Sequence, residues 1–295
     1  MLTRTAAPLL ATVLLLAGCG SDDPDVQSAP SPAAPVTSAP TTASPPTSPT
    51  TAPTTAPTTG SASARAVYWL GSADHPRGPR LYREFVQRPD AADEVRDAVE
   101  LMLTGAPADP DYTSLWADGT TVRDVTRDED TAVVDLSERA RTNGGGSAFE
   151  AMSLQQLVHT VTAADPSLTG VRLLVEGEPV ETLWGATDTR QAVRRAPAAE
   201  TLGPVWIDLQ EGAVLAEPSF GGTATVFEAT VSWQLRQGDT VVTEGFSTAT
   251  TGAPERGEWQ ATADVPPGDY ELWAFESSAK DGSITWLDTK SVMIG

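Results

Sequence analysis

Ser147-Ala148-Phe149-Glu150-Ala151-Met152-Ser153-Leu154-Gln155-Gln156-Leu157-Val158-His159-Thr160-Val161 carries two signals of the same element. Ser147 with Glu150 three residues later has the spacing of a capping box, in which each side chain answers a free backbone N–H of the first turn. Leu154, Leu157, Val158 and Val161 then recur at steps of three and four, so the stretch predicts a helix with one apolar stripe, ended by Asp165-Pro166. At roughly 100° per residue, His159 falls about 150° from the centre of that stripe and is expected at the helix periphery.

Short apolar runs flank this helix. Segments 121–125 and 131–136 read as a hairpin around Asp128-Glu129-Asp130, and 171–176 and 180–184 as a second hairpin around Gly177-Glu178-Pro179. Upstream, 66–70 and 81–86 are candidate strands. Asp90 is the expected N-cap of another helix, with Val95, Ala98, Val99, Met102 and Leu103 on one face and Gly105 and Pro107 as its stop. Two one-sided helices need an apolar surface to cover, and a sheet face supplies it. Residues 65–190 are therefore expected to form an α+β domain, two helices packed on a mixed sheet.

Helical periodicity vanishes after a linker at 191–203. Segment 225–235 alternates, with Phe227, Ala229, Val231, Trp233 and Leu235 on one side and Glu228, Thr230, Ser232 and Gln234 on the other. Further strands are expected at 205–209, 214–217, 240–248, 258–265, 270–276 and 284–294. Seven short strands between Gly, Pro and Asp turns predict an all-β immunoglobulin-like sandwich over 204–295. Tyr270, after Pro267-Gly268-Asp269, stands where a tyrosine corner would.

The first 64 residues read differently. Arg4 precedes an apolar run at 6–17, about half the length needed to span a bilayer but suited to a signal-peptide core. The run ends Leu16-Ala17-Gly18-Cys19, which resembles the lipobox of bacterial lipoproteins. That resemblance implies a signal peptide at 1–18, lipidation of Cys19, and a membrane partner through the lipid on the extracytoplasmic side. Residues 24–64 hold 10 Pro, 17 Ser or Thr and 9 Ala, too little apolar surface to offset chain entropy, so 19–64 is expected to act as an extended tether.

Composition narrows the chemistry. Asp and Glu number 40 against 19 Lys and Arg, a net charge of −21 that opposes nucleic-acid phosphates. One cysteine excludes an internal disulfide framework and thiolate-rich zinc sites, and two histidines leave little for imidazole catalysis. Gly71-Ser72-Ala73-Asp74-His75 gathers triad residue types in one loop, but neighbours in sequence rarely converge as a triad does. Asp124, Asp128, Glu129 and Asp130 lack the glycine and terminal glutamate of a calcium loop and read as a polar turn. No catalytic residue, metal ligand or cofactor is expected. Aromatic side chains remain. Trp233 and Trp259 fit core faces, whereas Trp184, Trp206, Trp273, Phe275 and Trp286 are candidates for an interdomain seam or a partner surface.

Four segments in order, 98–105 (Ala-Val-Glu-Leu-Met-Leu-Thr-Gly), 131–137 (Thr-Ala-Val-Val-Asp-Leu-Ser), 157–162 (Leu-Val-His-Thr-Val-Thr) and 171–177 (Val-Arg-Leu-Leu-Val-Glu-Gly), resemble the GerMN domain of sporulation and spore-germination proteins. Phe227-Glu228-Ala229-Thr230-Val231, Pro266-Pro267-Gly268-Asp269-Tyr270-Glu271-Leu272 and Ala274-Phe275-Glu276 resemble the Gmad-type immunoglobulin-like domain of bacterial spore germination. The pairing implies an envelope protein that binds a ligand or protein, with no catalytic residues to carry across. The sequence thus points to a lipid-anchored, non-catalytic binding or scaffolding protein whose partner is an extracytoplasmic protein or the cell wall. A regulatory accessory of a membrane sensor and a cell-wall hydrolase are the alternatives.

Overall fold

The computed structural model describes residues 62–72, 75–142 and 146–295. Leu16, Ala17, Gly18 and Cys19, with nearly all of the Pro/Thr-rich stretch, lie outside the described residues. The first half opens with a ten-residue antiparallel pair, β1 (Ala62–Gly71) and β2 (Arg80–Pro89). Helix α1 (Glu94–Thr104) buries the five expected residues, Val95, Ala98, Val99, Met102 and Leu103. Its cap is Asp93 rather than Asp90, because Asp93 Oδ1 accepts the Arg96 N–H at 2.9 Å while Asp90 accepts from the Ser63 hydroxyl. Strands β3 (Val122–Asp128) and β4 (Thr131–Leu136) form the expected hairpin. A short 3-10 turn at Glu138–Arg141 leads towards α2 (Ser147–Ala164), and β5 (Gly170–Val175) returns parallel to β4. Two short strands, β6 (Glu178–Pro179) and β7 (Val193–Arg194), pair with β5, and the mixed sheet runs β3-β4-β5-β6. The expected strand at 180–184 does not form: after Pro179 the chain becomes a loop wrapped around the start of α2.

Two expectations for α2 are corrected. Gly146, not Ser147, is the N-cap, and it makes no side-chain cap. Glu150 is instead buried at 1% exposure, its carboxylate accepting the backbone N–H groups of Trp184, Ala186 and Thr187. His159 is buried too, at 2% exposure. The one-stripe argument failed because α2 lies between β1, α1, β5 and β7 and is covered on several sides, burying polar as well as apolar positions.

A single turn, α3 (Ala198–Thr201), leads into the second half. Strands β8 (Val205–Ile207), β9 (Ala213–Leu215), β10 (Ser219–Ala224), β11 (Thr230–Gln237), β12 (Thr240–Thr248), β13 (Gly257–Thr262), β14 (Gly268–Ser277) and β15 (Ile284–Ile294) make two sheets. One runs β13-β10-β8, and the other runs β12-β11-β14-β15-β9 with β9 parallel to β15. This is the expected immunoglobulin-like sandwich. Val231, Leu235, Leu272, Ala274, Phe220 and Trp259 fill its centre. Trp233, on the core face as expected, packs edge-on against Phe220 at 5.3 Å between ring centres. The Tyr270 hydroxyl donates to the Pro266 carbonyl at 2.8 Å, closing a tyrosine corner.

The expected strand at 225–235 is two features. The chain leaves the three-stranded sheet at Ala224 and turns at Phe227–Ala229, where Glu228 and Ala229 have φ of 54° and 55°; only then does it enter the five-stranded sheet at Thr230. Phe227, expected inside, is 67% exposed. The unexpected strand β10 owes its place to Gly221 and Gly222. A Cβ on Gly222 would lie 1.9 Å from the Trp206 carbonyl oxygen, and one on Gly221 2.5 Å from that of Trp259.

Candidate functional site

Strand β8 joins the two halves. Val205 and Ile207 belong to the sandwich core, whereas Trp206, pointing the other way, belongs to the core of the α+β half. The Trp206 ring lies 6.1 Å from Tyr68 and 6.4 Å from Tyr82, and its Nε1–H donates to the Leu81 carbonyl at 3.1 Å. Its other side carries the Arg256 guanidinium, 4.2 Å from the ring centre, which also donates to the Gly203 carbonyl at 2.9 Å. Burial pulls the Arg256 pKa down to about 10. Gly203 has no side chain for a reason, since a Cβ there would sit 2.5 Å from Tyr82 Cζ.

Beside it the seam is ionic. Lys290 of β15, 2% exposed, contacts Asp109, reaches Asp288 at 3.5 Å, and donates to the Tyr112 hydroxyl at 2.6 Å. Tyr112 donates in turn to Asp288 Oδ1 at 2.7 Å, and Asp288 Oδ2 accepts the Ile207 N–H at 2.7 Å. Burial raises the Asp288 pKa to about 6 against the opposing pull of Lys290, and burial also raises Asp109. Lys290 is raised because its two carboxylate neighbours outweigh its own desolvation. Tyr112 and Tyr82 are both pushed above the usual tyrosine range by burial and by Asp288.

Trp286 holds the outer end of the seam. His75 stacks on it at 3.6 Å, and the His75 Nε2 shares a hydrogen bond with the Thr285 carbonyl at 2.7 Å. The guanidinium carbons of Arg77 and Arg80 lie 4.6 and 5.2 Å from the centre of the same indole. A cleft of about 570 Å³ opens here between Ser72, His75, Asp111 and Trp286. Ser72 meets the Tyr82 hydroxyl at 3.1 Å, away from His75's partner, so these two described residues of the 71–75 loop form no catalytic pair; Asp74 is outside the described residues.

The other aromatic candidates go elsewhere. Trp184 is half-buried in the α+β half, its Nε1–H on the Ala140 carbonyl and its ring edge-on to Trp116. Trp273 and Phe275 lie on the outer face of the five-stranded sheet, opposite Tyr270, Leu272 and Ala274. Across that face the register sets Phe246 beside Ser232, Ser232 beside Phe275, and Phe275 beside Leu287; the next row is Glu244, Gln234, Trp273 and Thr289. Arg236 covers Trp273 at 4.3 Å, Phe275 is 7% exposed, and Phe246 is 73% exposed. Among the five candidates, then, Trp206 and Trp286 join the domains and only Trp273 and Phe275 share an outward face.

Two polar features resolve without a site. Asp128 and Asp130 pair with Arg172 and Arg194, and Asp124 with Arg96, so three of the four acidic residues are engaged by arginines. His159 packs 5.1 Å from Tyr68, its ring nitrogens bond to no protein atom, and desolvation lowers its pKa to about 3. The ionic seam escaped the sequence reading, although β15 held a signal. Asp288 and Lys290 alternate in step with Trp286, Val292 and Ile294, so two charges stand on an otherwise apolar face.

Residues 66–181 match the Germane family, described as "Sporulation and spore germination". Residues 209–283 match Gmad2, the "Immunoglobulin-like domain of bacterial spore germination". The chain carries a Germane domain followed by a Gmad2 domain. It is similar to the first GerMN domain of the sporulation protein GerM from Bacillus subtilis at 17% identity, over 45% of this chain and 98% of that one, with a TM-score of 0.38. The tandem GerMN domains of the same protein align at 16% identity and a TM-score of 0.39, covering 63% of this chain and 59% of theirs. A putative lipoprotein from Clostridium perfringens aligns at 19% identity and a TM-score of 0.32, over 45% of this chain and 87% of that one. No curated protein matches the chain in sequence. Both families are related to sporulation or germination, and neither description names a reaction.

Proposed function

We propose that the protein is a lipid-anchored component of the bacterial envelope that binds or scaffolds another extracytoplasmic molecule, a protein or the cell wall, without catalysing its conversion. Cys19, after Leu16-Ala17-Gly18, is the proposed point of lipid attachment, and the tether holds the two domains away from the membrane. The observation carrying the binding role is the outer face of the Gmad2 sheet. There an indole under a guanidinium (Trp273, Arg236) shares its row with Gln234 and Glu244, which hydrogen-bond to each other, and the next row ends in the exposed Phe246 on β12. Aromatic and arginine side chains of this kind commonly dominate binding energy. The Germane and Gmad2 descriptions support a role in sporulation or germination assemblies.

Isolated cell-wall sacculi provide the test. Salt-resistant co-sedimentation of the purified protein without release of soluble wall fragments is expected for a wall-binding scaffold. Trp273→Ala should weaken that binding while leaving the fold intact. Release of fragments would overturn the non-catalytic reading in favour of a hydrolase. No binding and no release would move the partner to a protein, as for a regulatory accessory of a membrane sensor, to be captured by crosslinking on cells. Cys19→Ala should release the protein from membranes, and a variant that fractionates like wild type would refute the anchor.

A further inference from the structure

The seam between the Germane and Gmad2 domains buries an unequal number of charges. One ammonium, Lys290, faces two carboxylates, Asp109 and Asp288, and all three side chains are at most 3% exposed. Every other group facing the cluster is accounted for. From segment 105–121 come Tyr112, which donates to Asp288, and Asp111, whose N–H donates to Asp109 and whose carboxylate accepts from Thr289. From β2 come Tyr82 and the buried Glu84, whose carboxylate accepts the Ala108 and Asp109 N–H groups, and from the turn before β9 comes Glu211, which accepts the Ser291 N–H. Arg256 and Arg80 act on Tyr82 from further off. No second cation contacts the two aspartates among the described residues, so within this trio one negative charge is in excess.

We infer that this junction is a proton-dependent latch, in which uptake of one proton at Asp288 balances the buried charge and tightens the hold of one domain on the other. Asp288 is placed for it. Its two oxygens accept from Tyr112 and from Ile207 N–H, so it ties segment 105–121 of the first domain to β8 of the junction. The raised Asp288 pKa, about 6, agrees in direction. Folded Asp288 holds its proton more tightly than the unfolded chain does. The stability it supplies therefore grows as pH falls from about 6 towards the ordinary aspartate range, and is absent above that window. An extracytoplasmic protein meets such changes in pH directly; this step alone rests on the proposed location.

Melting temperatures of the wild-type chain and of Asp288→Asn, taken from pH 7.5 to 5, test the latch. The wild type should gain about 3–5 °C relative to the variant over that range. Titrations of groups outside the cluster, His159 included, cancel in the difference. Parallel curves would overturn the inference. Should Asp288→Asn fail to fold, the wild-type protein decides by NMR. The Asp288 carboxyl carbon should titrate near pH 6, with the protection factor of the Ile207 amide rising as it does. A midpoint near the ordinary value of about 4, or an amide indifferent to the titration, would refute it.

Discussion

Trp206→Ala separates a tryptophan that joins domains from one that recruits a partner. The indole is 5% exposed, fills part of the Germane core, donates to the Leu81 carbonyl and lies under Arg256. Truncating a buried Trp to Ala costs about 3–5 kcal/mol, and the lost hydrogen bond adds about 1 kcal/mol. The stack with Arg256, partly shielded from water, contributes about another 1 kcal/mol. These contributions overlap, so about 4–5 kcal/mol is the working figure. For a folded region of this size that lowers Tm by about 10–15 °C. Because the ring belongs to one core and its strand to the other, the loss should also split the unfolding into two transitions, read by circular dichroism and calorimetry. Trp206→Ala melting in one transition within a few degrees of wild type would refute the reasoning.

Further outcomes follow from the same contacts. Glu150→Ala leaves three backbone N–H groups at 184, 186 and 187 without their acceptor, at a cost of about 3–5 kcal/mol, and hydrogen exchange should quicken at those amides first. Gly222→Ala forces a methyl against the Trp206 carbonyl and should destabilise by about 2–4 kcal/mol in denaturant titration; unchanged stability would mean β8 and β10 are further apart than described. His159 should stay neutral from pH 8 to 4, its imidazole titrating by NMR only near pH 3. Its folded pKa lies below the unfolded value, so it withdraws stability as pH falls below about 6.5. An imidazole midpoint near 6.5 would show that the ring is solvated.

How far the sequence speaks depends on whether an element is covered on one face or on several. Helix α1 packs on α2, β1 and β3 with one face only, and the spacing of Val95, Ala98, Val99, Met102 and Leu103 named that face completely. Helix α2 meets α1, β1, β2, β5 and β7 and is covered on several sides, so a single-stripe argument misplaced His159, and Glu150 serves a loop 34 to 37 residues away instead of its own helix end. Alternation marked β11 correctly from Val231 to Leu235. It ran too far back because the crossing between sheets at 225–229 keeps an apolar–polar rhythm while turning. Strand β10 was invisible because Ser-Phe-Gly-Gly-Thr-Ala has low strand propensity and earns its place only by close backbone approach. The division of the aromatic candidates between seam, outer face and, for Trp184, the interior of the first domain needed the β8 register and the path of the chain between domains. The buried Lys290 cluster joins residues some 180 positions apart, a distance at which local pattern carries no information.

The central claim is that the Germane and Gmad2 domains form one body, held by Trp206, Arg256 and the Lys290 cluster. Differential scanning calorimetry of the whole protein at neutral pH tests it most directly. One transition is expected, with a calorimetric to van't Hoff enthalpy ratio of about 1. Two separable transitions, or a ratio near 2, would show domains that unfold independently and would contradict the account.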